Sequence, residues 1–100
     1  MAMSESEAEH LAALLKGLAS PLRLRILAAL RTGPHTVSEL QQLTGAGQAA
    51  LSNNLRVMRN LELVAGERDG RFVTYRLFDH HIASVFDGAI EHLSHSQLDR

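Results

Sequence analysis

A mainly α-helical fold carrying one β-hairpin is what this sequence predicts, and three observations predict it. Apolar residues recur at three- and four-residue spacing over most of the chain. Serine or threonine, followed three residues later by glutamate, heads two of these stretches, a signature of helix starts. From residue 62 the pattern changes to β-branched and aromatic residues on both sides of Asp69-Gly70, as in a hairpin.

The elements follow in order. SESEAEHLAALLKGLA reads as a first helix, with Leu11, Leu14, Leu15 and Leu18 on one face. Its capping box is either Ser4 with Glu7 or Ser6 with Glu9. Ser20-Pro21 restarts the chain, serine as N-cap and proline at the first helical position. The second helix, about 21–32, is expected to turn Leu24, Leu27 and Leu30 inward, and Gly33-Pro34 ends it. Thr36-Val37-Ser38-Glu39 opens a short helix that stops near Leu43. A turn of small residues, Thr44 to Gly47, leads to a longer helix with Leu51, Leu55 and Met58 on one face. Two short helices joined by a glycine-bearing turn make a helix-turn-helix, here about residues 36–60. The hairpin that follows, about 62–78, is a wing, and Asp69-Gly70 is expected to form its two-residue turn with positive φ at both positions. Ile82, Val85, Phe86, Ala89, Ile90 and Leu93 predict a last helix at about 79–96. Residues 1–100 thus read as a single winged helix-turn-helix domain.

Composition narrows the function. The chain has no cysteine, which removes disulfides, thiolate metal sites and thiol switches. No apolar run approaches the 18 or so residues of a membrane span. The opening MAMSESEAEH is acidic and lacks a signal-peptide pattern, so a cytoplasmic protein is expected. A net charge of −1 conceals three blocks, −3 over residues 1–15, +5 over 16–76 and −3 over 77–100. A basic middle between acidic ends is compatible with nucleic acid on one face.

On the second helix of the helix-turn-helix, Gln48, Ser52, Asn53, Asn54 and Arg56 are polar and stand toward its N-terminal half. Glutamine and asparagine pair with adenine edges, and arginine with guanine, in a major groove. Serine and the helix N-terminus suit phosphates. Arg68 and Arg71 flank the hairpin tip, where a wing meets a minor groove or backbone.

Residues 15–78 resemble the ArsR/SmtB family of bacterial metal-responsive repressors. The resemblance rests on LASPLRLRILAAL, the TVSEL helix, the S-x-x-L-R-V-M-R pattern and the wing GERDGRFVTYRL, and it continues through the last helix. It implies a winged-helix homodimer with its interface on the terminal helix, which holds double-stranded operator DNA when metal-free and releases it when metal binds. Two departures stand out. Many relatives carry histidine where Asn53 stands, which implies a different base preference. Arsenic and cadmium sensors carry a cysteine pair on the helix matching Thr36–Leu40, and this chain has none.

The stretch DHHIASVFDGAIEHLSH, residues 79–95, holds four of the chain's six histidines. On a helix His81 and His92 share a face within about 20°, but lie about 16 Å apart along the axis. Zinc–imidazole bonds of about 2.0–2.1 Å forbid one ion from joining them within one chain. An antiparallel copy of the helix brings His81 against the partner helix's His92 position, and Asp79 against its His95 position, in one register. The stripe His81–Val85–Gly88–His92–His95 then faces the partner, with the two-fold axis near Phe86–Asp87. Symmetry yields two identical sites of one carboxylate and three imidazoles. The resemblance implies the same set: D-x-H, ten residues, then H-x-x-H is the last-helix pattern of the family's zinc- and cobalt-type sensors, and Asp79, His81, His92 and His95 stand there. His80 is expected to point away, and His10 and His35 are isolated in sequence.

Four nitrogen and oxygen ligands suit tetrahedral Zn(II) first and Co(II) next. Ni(II), which the family binds with histidines beyond this motif, is the alternative, although Ser96 to Arg100 offers none. The other alternative is a winged-helix repressor that answers to no metal. An enzyme is not expected. A filled four-ligand site leaves no open position for hydrolysis, and neither a phosphate loop nor H-E-x-x-H occurs. The expected partners are operator DNA and a second copy of the chain, with no membrane and no small organic substrate.

Overall fold

A computed structural model describes residues 2–96. Their elements are α1 (Glu5–Leu18), α2 (Pro21–Leu30), β1 (His35–Thr36), α3 (Val37–Thr44), α4 (Gln48–Asn60), β2 (Val64–Asp69), β3 (Phe72–Leu77) and α5 (His80–His95). The fold is mainly helical, with a helix-turn-helix formed by α3 and α4 and a wing formed by β2 and β3. None of these helices is long and apolar enough to cross a membrane.

Local chemistry sets most boundaries. Ser4, not Ser6, caps α1: its hydroxyl accepts the Glu7 amide at 3.0 Å, and the Glu7 carboxylate accepts the Ser4 amide at 3.0 Å. Thr36 and Glu39 make the same reciprocal pair at the head of α3, at 3.2 and 2.8 Å. These contacts occupy amides that a helix start otherwise leaves without partners. Between α3 and α4, the buried Thr44 hydroxyl donates to the Leu40 carbonyl at 2.7 Å and accepts from the Ala46 amide at 3.2 Å. Gly45 follows with φ 75°, the left-handed conformation that closes α3. Helix α4 ends differently. Glu62 takes φ 57°, and the Leu63 amide reaches back to the Met58 carbonyl at 2.9 Å, so a glutamate occupies a place usually held by glycine.

The core lies between α2, α3, α4 and β2. Leu51, Leu55 and Met58 of α4 meet Ile26, Leu27 and Leu30 of α2, with Leu40, Leu63 and Val64 completing the cluster. Each such side chain contributes about 1.5–3 kcal/mol by leaving water. One expected core residue is wrong: Leu24 is 42% exposed, and Ile26 is buried in its place. The run LRLRILAAL is apolar on several faces, so spacing alone does not tell which leucine turns inward.

The sheet corrects two further expectations. It has three strands, ordered β1-β3-β2 and antiparallel, rather than the two of a plain hairpin. The short β1 pairs His35 with Tyr75 and Thr36 with Thr74, which fastens the start of α3 to the wing. At the hairpin tip Asp69 pairs with Phe72, so the turn residues are Gly70 and Arg71, with φ positive at Gly70 (64°) and not at its neighbour. That geometry needs glycine only at the first turn position, and Asp69 stays in the strand.

Candidate nucleic-acid interface and metal centre

Helix α4 turns Gln48, Ser52 and Arg56, four residues apart, along one exposed stripe, with Asn53 beside them. The Arg56 guanidinium donates to the Asn53 side-chain oxygen Oδ1 at 2.7 Å, which preorganises both polar heads at the surface. Gly47 caps α4 without a side-chain hydrogen bond, so the first amides keep their capacity to bind an anion. Asn54 sits differently. It is half-buried, accepts from Arg23 Nε at 2.9 Å and donates to the Ala50 carbonyl at 2.8 Å. Arg23 also donates to the Gly17 carbonyl at 3.2 Å, so Asn54 ties α4 to α2 and α1 instead of joining the outer stripe.

A polar groove of about 520 Å³ runs between α3, the N-terminal half of α4 and the wing. Gln48 and Ser52 of α4, Arg71 of the wing and Ser38 and Gln41 of α3 are among the residues that line it. These two α3 residues were not among the candidates. Their three-residue spacing was a legible signal, since it puts both on one helix face. Arg68 is exposed beside the wing tip, and Arg71 is exposed within its turn.

Asp79 is the N-cap of α5. Its Oδ1 accepts the His81 amide at 2.9 Å and the Ile82 amide at 3.3 Å, while Oδ2 lies 3.5 Å from His81 Nδ1. Partial desolvation pushes this carboxyl up, but hydrogen bonds from His81 and the Ile82 amide outweigh it and hold the acid below its usual range. One oxygen caps the helix while the other faces His81 Nδ1. His81 is 75% exposed on its side chain, and its ring lies 4.0 Å from that of His80. His92 and His95 stand exposed in the last turn, and Val85 and Gly88, between His81 and His92, are exposed too. Within one chain, and among the described residues, no three histidine or acidic side chains approach closely enough to hold an ion. Asp99 and the end of the chain lie outside the described residues.

The face of α5 beside this stripe meets the body of the protein. Ile82 and Phe86 pack against the core, but Val85, Ile90 and Leu93 remain about half exposed, as do Leu11 and Leu15 of α1. An apolar cavity of about 240 Å³ opens between α1, α2 and α5, lined by Leu15, Leu18, Leu24, Val85 and Phe86 among others. Phe86 and Asp87, near which the two-fold axis is expected, both have partners within their own chain. Phe86 packs inward, and Asp87 binds Arg31 of its own chain in a two-pronged ion pair, Nε to Oδ1 at 3.0 Å and Nη2 to Oδ2 at 2.7 Å.

Comparison with known proteins places this geometry. The family of bacterial regulatory proteins described as arsR matches residues 20–65. The HTH-type transcriptional regulator NmtR of Mycobacterium tuberculosis is 45% identical over 96 residues, which covers 96% of this chain and 80% of the relative. The solution structure of apo-NmtR superimposes with a TM-score of 0.82, covering 98% of this chain and 82% of that one. The HTH-type transcriptional repressor SmtB of the same species is 39% identical over 79 residues, spanning 79% of this chain but 58% of that repressor. A homodimeric winged helix-turn-helix DNA-binding domain of Mycobacterium bovis, 31% identical, aligns at a TM-score of 0.80 over 97% of each chain.

Proposed function

The chain belongs to the arsR family of bacterial regulatory proteins, and on that premise we propose that it is a cytoplasmic metal-sensing repressor. It holds operator DNA as a homodimer and releases it when Zn(II) or Co(II) binds at α5. It regulates transcription and is not an enzyme. One observation carries the metal reading. Four ligand-type side chains stand in two pairs at opposite ends of α5, Asp79 at the N-cap with His81 and His92 with His95 in the last turn, flanked by apolar side chains that stay about half exposed.

The donor set fits the ion. Three neutral imidazoles and one carboxylate match tetrahedral zinc or cobalt(II), and Asp79 Oδ2 already lies beside His81. When bound, the metal supplies a four-ligand clamp between two copies of α5. The chain's own residues do the rest. Gln48, Ser52, Asn53 and Arg56 reach base edges and phosphates, with Ser38 and Gln41 beside them. Arg68 and Arg71 hold the flanking backbone, and Asn54 steadies α4 from behind. In a dimer the two copies of α4 must sit about one DNA turn, roughly 34 Å, apart. Any change in how the α5 helices meet alters that spacing, and linkage requires DNA to weaken metal binding by the same factor.

The test is operator binding with and without zinc. His92→Gln should keep its metal-free affinity and lose zinc-induced release, and release that persists in this variant would defeat the proposal. Cobalt(II) titration identifies the preference. Intense visible bands at one ion per chain, bleached by zinc, support the tetrahedral reading. Weak bands favour nickel and higher coordination.

A further inference from the structure

We propose that the Arg31–Asp87 ion pair is the tie through which α5 sets the position of the helix-turn-helix and the wing, and that Arg31 and Asp87 are positioning residues for DNA release. The inference rests on the reading of α5 as the metal-binding helix. It adds the route by which that helix reaches the DNA face.

The placement of the pair carries the argument. Asp87 lies near the middle of α5, between His81 and His92. Arg31 caps the C-terminus of α2, with residues 56 apart in sequence brought into a two-pronged contact at 2.7–3.1 Å. A planar guanidinium on a carboxylate fixes orientation as well as distance, which a single-point contact does not. From Arg31 a chain of contacts runs straight to the DNA face. The next residue, Thr32, donates its hydroxyl to the Ala29 carbonyl at 2.7 Å and lies 3.3 Å from His35 Nε2. His35 pairs with Tyr75 of the wing strand, and its Nδ1 lies 3.7 Å from Glu39 of α3. Thr36, beside it, caps α3 and pairs with Thr74. One segment of six residues therefore holds α5 at one end and both halves of the DNA-binding face at the other.

The α5 helix also rests on apolar contacts, with Ile82 and Phe86 half-buried against the core. Apolar contact permits sliding, whereas the ion pair sets where along α2 the helix sits. Rotation or shift of α5 on joining a second copy is thereby passed to Arg31 rather than lost in slippage. Contiguity alone does not establish coupling, so the test is a cycle of substitutions.

The variants are Asp87→Asn, Arg31→Gln and the swap of Asp87→Arg with Arg31→Asp, each as the full-length dimer. Two quantities are read. The first is amide hydrogen exchange over residues 32–36 in the metal-free protein. The second is the ratio of operator affinities without and with zinc. Both single variants should exchange faster over 32–36, retain metal-free operator affinity and zinc affinity within about twofold, and lose about fivefold or more of the zinc-induced ratio. The swap should recover both readouts. Unchanged exchange in the single variants overturns the tie, whatever zinc does. So does faster exchange with an undiminished zinc response. If wild-type protein ignores zinc while the exchange pattern follows the variants, the tie stands and the metal-sensor reading falls.

Discussion

Helices α4 and α5 carry apolar side chains at the same three- and four-residue spacing, and the chain uses them in opposite ways. Leu51, Leu55 and Met58 of α4 are fully buried, whereas α5 buries no residue completely and leaves Val85, Ile90 and Leu93 about half exposed. The polar sides differ too. Those of α4 form the wall of a groove beside the wing, and those of α5 carry paired imidazoles at both ends. An amphipathic helix that finds its cover inside its own chain serves as a rigid reading head. One that finds only half its cover there is built to be completed from outside, and what completes it decides its position. The α1–α5 layer is therefore the adjustable part of the molecule.

The contrast can be broken most forcefully in the core. Leu55→Ala should cost about 2–5 kcal/mol of unfolding free energy in urea titration, because it leaves a cavity where no side chain is free to collapse. Leu93→Glu, by contrast, should leave the helical circular dichroism intact while sedimentation shows dimer dissociating at concentrations where wild type stays paired. Equal unfolding by both substitutions would erase the distinction between the helices.

A middle-sized effect is expected where α1 touches the body. A β-carbon on Gly17 would collide with the Leu61 side chain, which ends α4. Gly17→Ala should cost about 1–3 kcal/mol by overpacking, read by thermal unfolding, unless Leu61 yields. A neutral result would mean that α1 is not seated against α4 and that the adjustable layer begins there.

The smallest effect is a dependence on pH. Hydrogen bonding to Arg31, with its positive charge, holds the Asp87 carboxyl below the ordinary carboxylate range. A depressed folded-state pKa contributes stability that is fully present above the unfolded value of about 3.9 and is lost as pH falls through the folded value. The urea midpoint of Asp87→Asn should therefore lie below that of wild type at pH 6–7, and the gap should shrink below about pH 4. Both side chains are 48% exposed, so salt should narrow the gap as well. A gap that does not vary with pH would assign the loss to packing of α5 rather than to the ion pair.

Much of this architecture was legible because it is governed locally. The two capping boxes need only three residues of separation, so Thr36 with Glu39 was readable, and Ser4 with Glu7 was one of two readable choices. The stripe Leu51–Leu55–Met58 was readable because the other large side chains of α4 are mostly polar, with only Val57 apolar among them. Alpha-helix α2 was not so clear: LRLRILAAL offers leucines in several directions, and only the arrival of α4 and β2 determined that Ile26 enters the core and Leu24 stays out. The hairpin was expected, but its turn was placed one residue early. Gly70 suffices for the positive φ, which lets Asp69 remain paired with Phe72. The spacing of Ser38 and Gln41 puts both on one face of α3, but only the wing set against that face makes it part of a groove.

The sequence by itself determined roughly where helices begin, which stripe of α4 is apolar, and that His81, His92 and His95 recur at helical spacing behind an Asp79 that heads a terminal helix. Those properties follow from backbone periodicity and from contacts within one or two turns. Only the tertiary structure decided that Asn54 turns inward to Arg23, that His35 and Thr36 add a third strand, and that Asp87 finds Arg31 across the fold. Each of these joins residues at least 31 apart in sequence, where chain entropy lets many pairings compete and packing of the core selects one.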